Sequence, residues 1–366
     1  MIGMSHPYVG RPDYQFWKKA PGHEGLNELD PVVRISFTIK QSDPVVTAGS
    51  CFAQHVSRYL ANSGFNFLVT ENAHPIIPER YHAALNYGLF TARYGNIYSA
   101  RQLRQLLERA YGLFQPIETV WPVADGYVVD PFRPQIQQIG FLSQRELDAD
   151  RVKHFAAVRG AIETLSVFVF TLGLTEAWED RRDHSVFPLA PGVAGGRYDP
   201  DLHAFVNFTV DEVVRDLIYA LDFIRSRNPG ARFILTVSPV PLAATAVDRH
   251  VLVSTSASKA VLRVAADLVA ASLPLTDYFP SYEIITSPHA RGSYYEEDCR
   301  SVTQQGVDHV MRLFLNHYGR GEEMPSGYGQ PTREAPLSAR VRAVRHIEKM
   351  TSLMSVLCDE ERITKE

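Results

Sequence analysis

Three cysteines in 366 residues, Cys51, Cys299 and Cys358, stand without CxxC spacing and leave neither a disulfide framework nor a cysteine zinc site. No block of Lys or Arg stands out. With 37 basic residues against 41 acidic ones, the formal net charge is -4, and no positive stripe answers to a phosphate backbone. Nucleic acid is therefore not an expected partner. No stretch reaches the roughly 18 apolar residues of a membrane helix. The opening "MIGMSHPYVGRPDYQFWKKAPG" is polar and broken by proline, unlike a signal peptide. The expectations are a cytoplasmic location, no membrane contact, and no metal or cofactor.

What is present is enough apolar material for a large core: 45% of the residues are hydrophobic and 11% aromatic. Four short runs dense in Val, Ile and Phe recur, "DPVVTAG" (43–49), "SVFVFTLG" (166–173), "RFILTVSPV" (232–240) and "DYFPSYEII" (277–285), with a fifth at "FNFLVTE" (65–71). Segments of helical spacing lie between them, notably 211–227 and 256–272. Continuous apolar strands alternating with helices predict an α/β fold with a mostly parallel sheet covered on both faces.

The chain divides, on this reading, into an N-terminal extension (1–30), one main domain (31–318) with an insertion at about 72–160, and a tail (319–366). The insertion is expected to hold a helix in "YGNIYSARQLRQLLERAYGLF" and to line the site. The tail reads as a Gly, Pro and charge-rich linker followed by a docking helix, with a homodimer contact as one role for it. A helix over Cys51–Ser63 ending at Gly64 makes the first run a strand, a tight turn and a helix.

Ligands of open parallel sheets sit beyond the carboxyl ends of the strands, and unusual polar residues gather there. Gly49, Ser50 and Cys51 follow the first run; Thr175, Glu176 and Trp178 follow the second in "GLTEAW"; Ser238 follows the third; His289, Arg291, Asp298 and Ser301 follow the last. Ser50 is placed where a helix N-terminus would steady an oxyanion, so it reads as a nucleophile. An N-capping serine is the plainer alternative. Cys51 is a competing nucleophile, since a thiol in a first helical turn loses its proton more readily; a small core residue is its alternative.

"GSCFA" at 49–53, joined by "GLTEAW", "TVSPVP" and "YFPSYEII", resembles the GSCFA family, whose members look like SGNH (GDSL-like) hydrolases, over about residues 30–315. The resemblance implies a three-layer, flavodoxin-like α/β/α fold of about five parallel strands, with Ser50 as the nucleophile. It further implies an oxyanion held by the Ser50 amide, by a glycine that matches Gly95 (or Gly88), and by Thr175 in place of the superfamily's Asn. The closing Asp-x-x-His block departs from the pattern: the sequence reads Asp298, Cys299, Arg300, Ser301. A serine is no general base at neutral pH. His250, which matches a histidine after the "SPV" strand of relatives, is the favoured base, and His289 is a second candidate. His309 is expected on the solvent face of its helix and His55 in the core or behind the site. Asp298 or Glu176 would orient the imidazole. Trp178 and Tyr98 would stack on a sugar ring, or else simply pack in the core.

These residues imply a serine esterase that removes O-acyl groups, acetyl above all, from a carbohydrate or glycoconjugate through an acyl-enzyme. A sugar hydroxyl in place of water would make it an O-acyltransferase. Two other readings stay open: a non-catalytic sugar- or anion-binding module that lost its base, and a Cys51 thiol enzyme.

Overall fold

The computed structural model describes residues 6–20, 28–137, 139–319 and 359–363. Its strands in chain order are β1 (Val45–Gly49), β2 (Trp121–Pro122), β3 (Val128–Val129), β4 (Val167–Leu172), β5 (Glu176–Asp180), β6 (Val186–Phe187), β7 (His203–Asn207), β8 (Arg232–Val237) and β9 (Thr276–Tyr278). The helices of six or more residues are α1 (Ala53–Asn62), α2 (Ala100–Ala110), α3 (Gln144–Thr164), α4 (Val210–Arg227), α5 (Val251–Ser272), α6 (Ser281–Thr286) and α7 (Gln304–Tyr318).

β1, β4, β8 and β9 form a four-stranded parallel sheet in that spatial order. Alternate residues feed opposite cores. Val46, Ala48, Phe168, Phe170, Leu172, Phe233, Leu235 and Val237 meet apolar residues of α2, α3, α4 and α5. Val45, Val167, Val169 and Ile234 meet those of α1, α6 and α7. With both faces covered, neither set of side chains has to be polar, which is why the strands read as unbroken apolar runs. The fold is a three-layer α/β/α sandwich.

Two of the sequence-based strands are corrected. The fifth run supplies only a parallel bridge, Phe67 to Val45, on the free edge of β1. It lies where the second strand of a 2-1-3-4-5 order would lie, so the chain direction along the sheet reverses at β1. The run 277–285 divides at Pro280, which has no N–H to give a ladder; β9 ends before it and α6 follows. The stretch 72–160 contains short 3-10 turns, α2, the β2–β3 hairpin and most of α3, while β6, β5 and β7 form a separate antiparallel sheet. The docking helix expected in the tail falls outside the described residues.

α1 starts two residues later than expected, at Ala53, and its N-cap position is Phe52, without a side-chain cap. Ser50 is thus not the N-cap of that helix. His309 is also misjudged by helical periodicity: it is buried, bonded to the Tyr294 hydroxyl at 2.7 Å and the Leu29 carbonyl at 2.9 Å, because the segment around Leu29 covers that face of α7.

Candidate active site

The reversal of strand order places a crevice beyond the carboxyl ends of β1 and β4, the position favoured for ligands in such sheets. β1 enters it through Gly49, whose φ is +136°. A Cβ there would lie 2.3 Å from the Thr171 carbonyl oxygen of β4, so only glycine lets the two strands close up. Ser50 follows directly, 2% exposed, and its hydroxyl has no hydrogen-bond partner among the described residues. Cys51, also buried, is the next residue.

From β4, Gly173 closes the floor: a Cβ on it would be 3.0 Å from the Ser50 Cβ and 3.1 Å from the Tyr98 ring. The Gly173 carbonyl accepts from the Lys259 ammonium at 2.5 Å. Lys259 is 2% exposed, on the face of α5 that also carries Leu262 and Ala266. Burial pushes this amine below its ordinary value; Glu360 and Cys51 act against that and Arg300 adds to it.

The third wall is the loop 93–98. Ile97 donates to the Gly49 carbonyl at 2.7 Å, and the Tyr94 hydroxyl donates to the Thr47 carbonyl. Beneath the loop lies a buried ionic network. Arg93 pairs with Glu71 at 3.4 Å and Asp150 at 2.9 Å, and Arg133 pairs with Asp130 at 3.1 Å and Asp150 at 2.6 Å. Gly95 takes a left-handed φ of +72° in the turn that presents Asn96. Gln54 of α1 donates to Asn96 Oδ1 at 2.9 Å, which fixes the amide so that Nδ2 faces the crevice.

That crevice is occupied by the chain itself. Asn96 Nδ2 donates to Asp359 Oδ2 at 2.9 Å, Gln135 Nε2 to Asp359 Oδ1 at 2.6 Å, and the Tyr98 hydroxyl to Asp359 Oδ2 at 3.4 Å. Arg300 pairs with Glu360 at 2.8 Å, and the Ala243 N–H also reaches Glu360. Burial pushes both carboxyls up, Asp359 to about 6.

The expected relay of Ser50, His250 and Asp298 is not hydrogen-bonded in this structure. His250 is exposed at the N-cap of α5, where its Nδ1 accepts from the Leu252 N–H at 3.1 Å. Asp298 is exposed and accepts from the Arg300 N–H, the Ser301 N–H and the Ser301 hydroxyl, at 2.8, 2.8 and 2.6 Å. It shapes the turn that carries Arg300. Glu176 accepts from the Thr245 hydroxyl at 2.7 Å and the Ala246 N–H at 3.2 Å, anchoring the loop after β8. The Thr175 hydroxyl is spent on Asn207 at 2.6 Å and Ser258 at 3.0 Å, which ties the turn after β4 to α5. Ser238 Oγ accepts from the Val240 N–H at 3.3 Å. Trp178 packs edge-on to Tyr198 and Phe205, and His289 lies against Trp17 with ring centroids 5.8 Å apart. The His55 ring lies 5.5 Å from Phe52; desolvation, helped by Arg58, holds it neutral with a pKa of about 4.

Of the donors expected at the oxyanion, the Ser50 N–H is committed to the Thr171 carbonyl at 3.0 Å and the Thr175 hydroxyl to Asn207 and Ser258; the Gly173 N–H beside them bonds the Tyr98 carbonyl at 2.8 Å. Residues that sequence reasoning missed are Lys259, Asn96, Gln135, Arg300, Asp359 and Glu360. Only Lys259 had a local signal: a lysine three residues before Leu262 and seven before Ala266, on an otherwise apolar helix face.

A cavity of about 630 Å³, lined by residues including Trp121, Arg182, Arg197 and His203, lies elsewhere, and no residue of the Ser50 crevice lines it. Among the described residues, no group of His, Cys, Asp and Glu is arranged to hold a metal ion, and no helix is long and apolar enough to cross a membrane.

A family model, the GSCFA family, matches residues 44–314. No curated protein matches the chain. Among solved structures, the chain is similar to a Clostridium thermocellum family 3 carbohydrate esterase, at 8% identity and a TM-score of 0.33, over 75% of this chain and 94% of that one. A likeness that distant carries no argument about chemistry.

Proposed function

The chain belongs to the GSCFA family, and from its crevice we propose that it is a serine hydrolase of O-acyl esters, with Ser50 as nucleophile and Lys259 as proton acceptor. The observation that carries this reading is the Ser50 hydroxyl, buried and unpartnered among the described residues at the switch point of the sheet. A buried hydroxyl without a partner costs about 1–3 kcal/mol. An incoming ester, engaging that hydroxyl, would offset the cost. The Ser50 oxygen attacks the acyl carbon as its proton passes to the deprotonated fraction of Lys259, whose pKa burial lowers to about 8. The alcohol leaves with that proton, and water then attacks the acyl-Ser50 ester by the same route to release the acid.

Lys259 suits the task because burial lowers its proton affinity even with Glu360 beside it. The Asn96 and Gln135 amides are the side-chain donors this reading assigns to the acyl oxygen. The substrate class, an O-acylated carbohydrate, follows the resemblance to SGNH hydrolases, and a sugar hydroxyl replacing water would turn the same acyl-enzyme into an acyltransferase.

One observation favours a second reading. Ser50 bonds no base among the described residues, as a non-catalytic sugar- or anion-binding module would have it. Intact mass after fluorophosphonate treatment separates the two. The test uses the wild type, Ser50→Ala, Lys259→Met, His250→Ala and the doubly substituted Asp359→Asn/Glu360→Gln chain. An adduct on the wild type or the double variant, lost in Ser50→Ala and slowed at least tenfold in Lys259→Met, supports the hydrolase. No adduct on either chain overturns it in favour of the module.

A further inference from the structure

We propose that the crevice beside Ser50 is a binding site for a substrate that carries a carboxylate, and that Asp359 and Glu360 occupy it as the chain's own competing ligand. As a statement about substrate, this rests on the reading of Ser50 as nucleophile.

At the described end of the tail the two carboxyl groups are the buried side chains, and the Asp359 N–H donates to the Tyr98 hydroxyl at 3.2 Å. Asp359 and Glu360 are 3% and 7% exposed, whereas Glu361, Arg362 and Ile363 face solvent, Ile363 at 42%. Among the described residues no apolar side chain of this segment joins either main core, and the contacts it makes there are polar. Taking carboxylates out of water is costly unless each finds donors, and the crevice supplies them as two subsites of different character.

At Asp359 the donors among the described residues are uncharged: the Asn96 amide, the Gln135 amide and the Tyr98 hydroxyl. Such donors suit a neutral acyl or hydroxyl oxygen as well as they suit a carboxyl group. At Glu360 the Arg300 guanidinium supplies positive charge and the Ala243 N–H a further donor. An anion belongs there. Their arrangement is built rather than incidental. Gln54 locks the Asn96 amide, Asp298 shapes the turn that projects Arg300, and Gly173 joins Lys259 to the wall of Ser50. A substrate presenting a polar neutral group to the first subsite and a carboxylate to the second, as an acylated uronic acid does, would match both while its ester lies toward Ser50.

The test is calorimetric binding of sodium glucuronate, with glucose as the uncharged control, to full-length wild type, Asp359→Ala/Glu360→Ala and the isosteric Asp359→Asn/Glu360→Gln chain. Thermal unfolding checks that each variant is folded. Because the tail competes within the molecule, the expected result is at least tenfold tighter glucuronate binding in either folded variant than in the wild type. Glucose should bind at least tenfold more weakly than glucuronate, and adding Arg300→Gln should remove the preference. Equal binding of glucuronate and glucose by both variants overturns the proposal. So does binding of the free peptide Asp-Glu-Glu-Arg-Ile without glucuronate, which would make the site one for acidic peptide segments. Adding Ser50→Ala leaves glucuronate binding intact under this proposal. Failure of the serine chemistry therefore shows in the fluorophosphonate experiment, and failure of carboxylate recognition shows here.

Discussion

Replacing Gly49 by alanine tests whether the close approach of β1 to β4 sets the position of Ser50. The backbone φ of +136° is one a non-glycine residue adopts only at a cost of about 1–3 kcal/mol. The added Cβ would also sit 2.3 Å from the Thr171 carbonyl oxygen, 2.7 Å from its nitrogen and 2.8 Å from its Cβ, all of them parts of a central strand rather than a mobile side chain. Relief requires the strands to part, which breaks the 3.0 Å bond from the Ser50 N–H to the Thr171 carbonyl. Leaving those buried groups unpaired costs a further 1–3 kcal/mol or so. Gly49→Ala is therefore expected to lose about 2–6 kcal/mol in urea unfolding followed by circular dichroism. Gly173→Ala is the contrast. Its φ is ordinary and its contacts of 3.0 Å to the Ser50 Cβ and 3.1 Å to Tyr98 call for small shifts, so overpacking of about 1–2 kcal/mol is expected, with a larger effect on Ser50 reactivity than on stability. A loss below about 1 kcal/mol in Gly49→Ala would refute the argument that steric closure fixes this turn.

Two further outcomes follow from the electrostatics. Asp359 is raised from 3.8 to about 6, chiefly by burial, so the docked segment holds its proton more tightly than the free one; docking is strongest below about pH 4 and weakens by up to ~3 kcal/mol as pH rises through 6. The peptide Asp-Glu-Glu-Arg-Ile should then bind the Asp359→Ala/Glu360→Ala chain at least tenfold more tightly at pH 4.5 than at pH 7.5. The same peptide with Asn in first place should show a smaller difference, and equal slopes would refute the assignment. Asp130 is fully buried against Arg133 at 3.1 Å and Arg151 at 3.4 Å; burial alone would raise its carboxyl, but these cations and Arg109 hold it well below the ordinary range. Asp130→Asn should cost about 3–5 kcal/mol in urea unfolding at pH 7 by stranding those guanidiniums, and a loss under 1 kcal/mol would refute that reading.

The sheet was legible because its physics is local. A strand covered on both faces must be apolar throughout, and β1, β4 and β8 each appear as such a run. The helices α4 and α5 emerge from spacing with errors of one and five residues at their starts, 210 against 211 and 251 against 256. The misreadings also have local causes. Pro280 turned the end of an apolar run into α6, and "FNFLVTE" was apolar enough for a strand although only Phe67 pairs. His309 was misjudged because periodicity reports which face of α7 meets the sheet but not that the segment around Leu29 covers the other.

The crevice was half legible for a different reason. Ser50 is announced by its place after a buried strand, whereas the need for Gly49 before it shows only in the folded approach to β4. Its surroundings come from distant parts of the chain: Tyr98 and Asp359 meet across 261 residues, Asn96 and Asp359 across 263, Lys259 and Gly173 across 86. No spacing rule reaches that far. The Asp-x-x-His block shows what such distance conceals. Read as a motif, Asp298 to Ser301 is an acid that has lost its base. Folded, Asp298 holds the turn that aims Arg300 at Glu360, so this block now contributes a cation to the crevice. If proton transfer has passed to Lys259, a positive charge at Arg300 lowers that amine's proton affinity further. Removing Arg300 would then weaken anion binding and slow Ser50 acylation together, whereas a merely structural turn would lose neither without losing the fold.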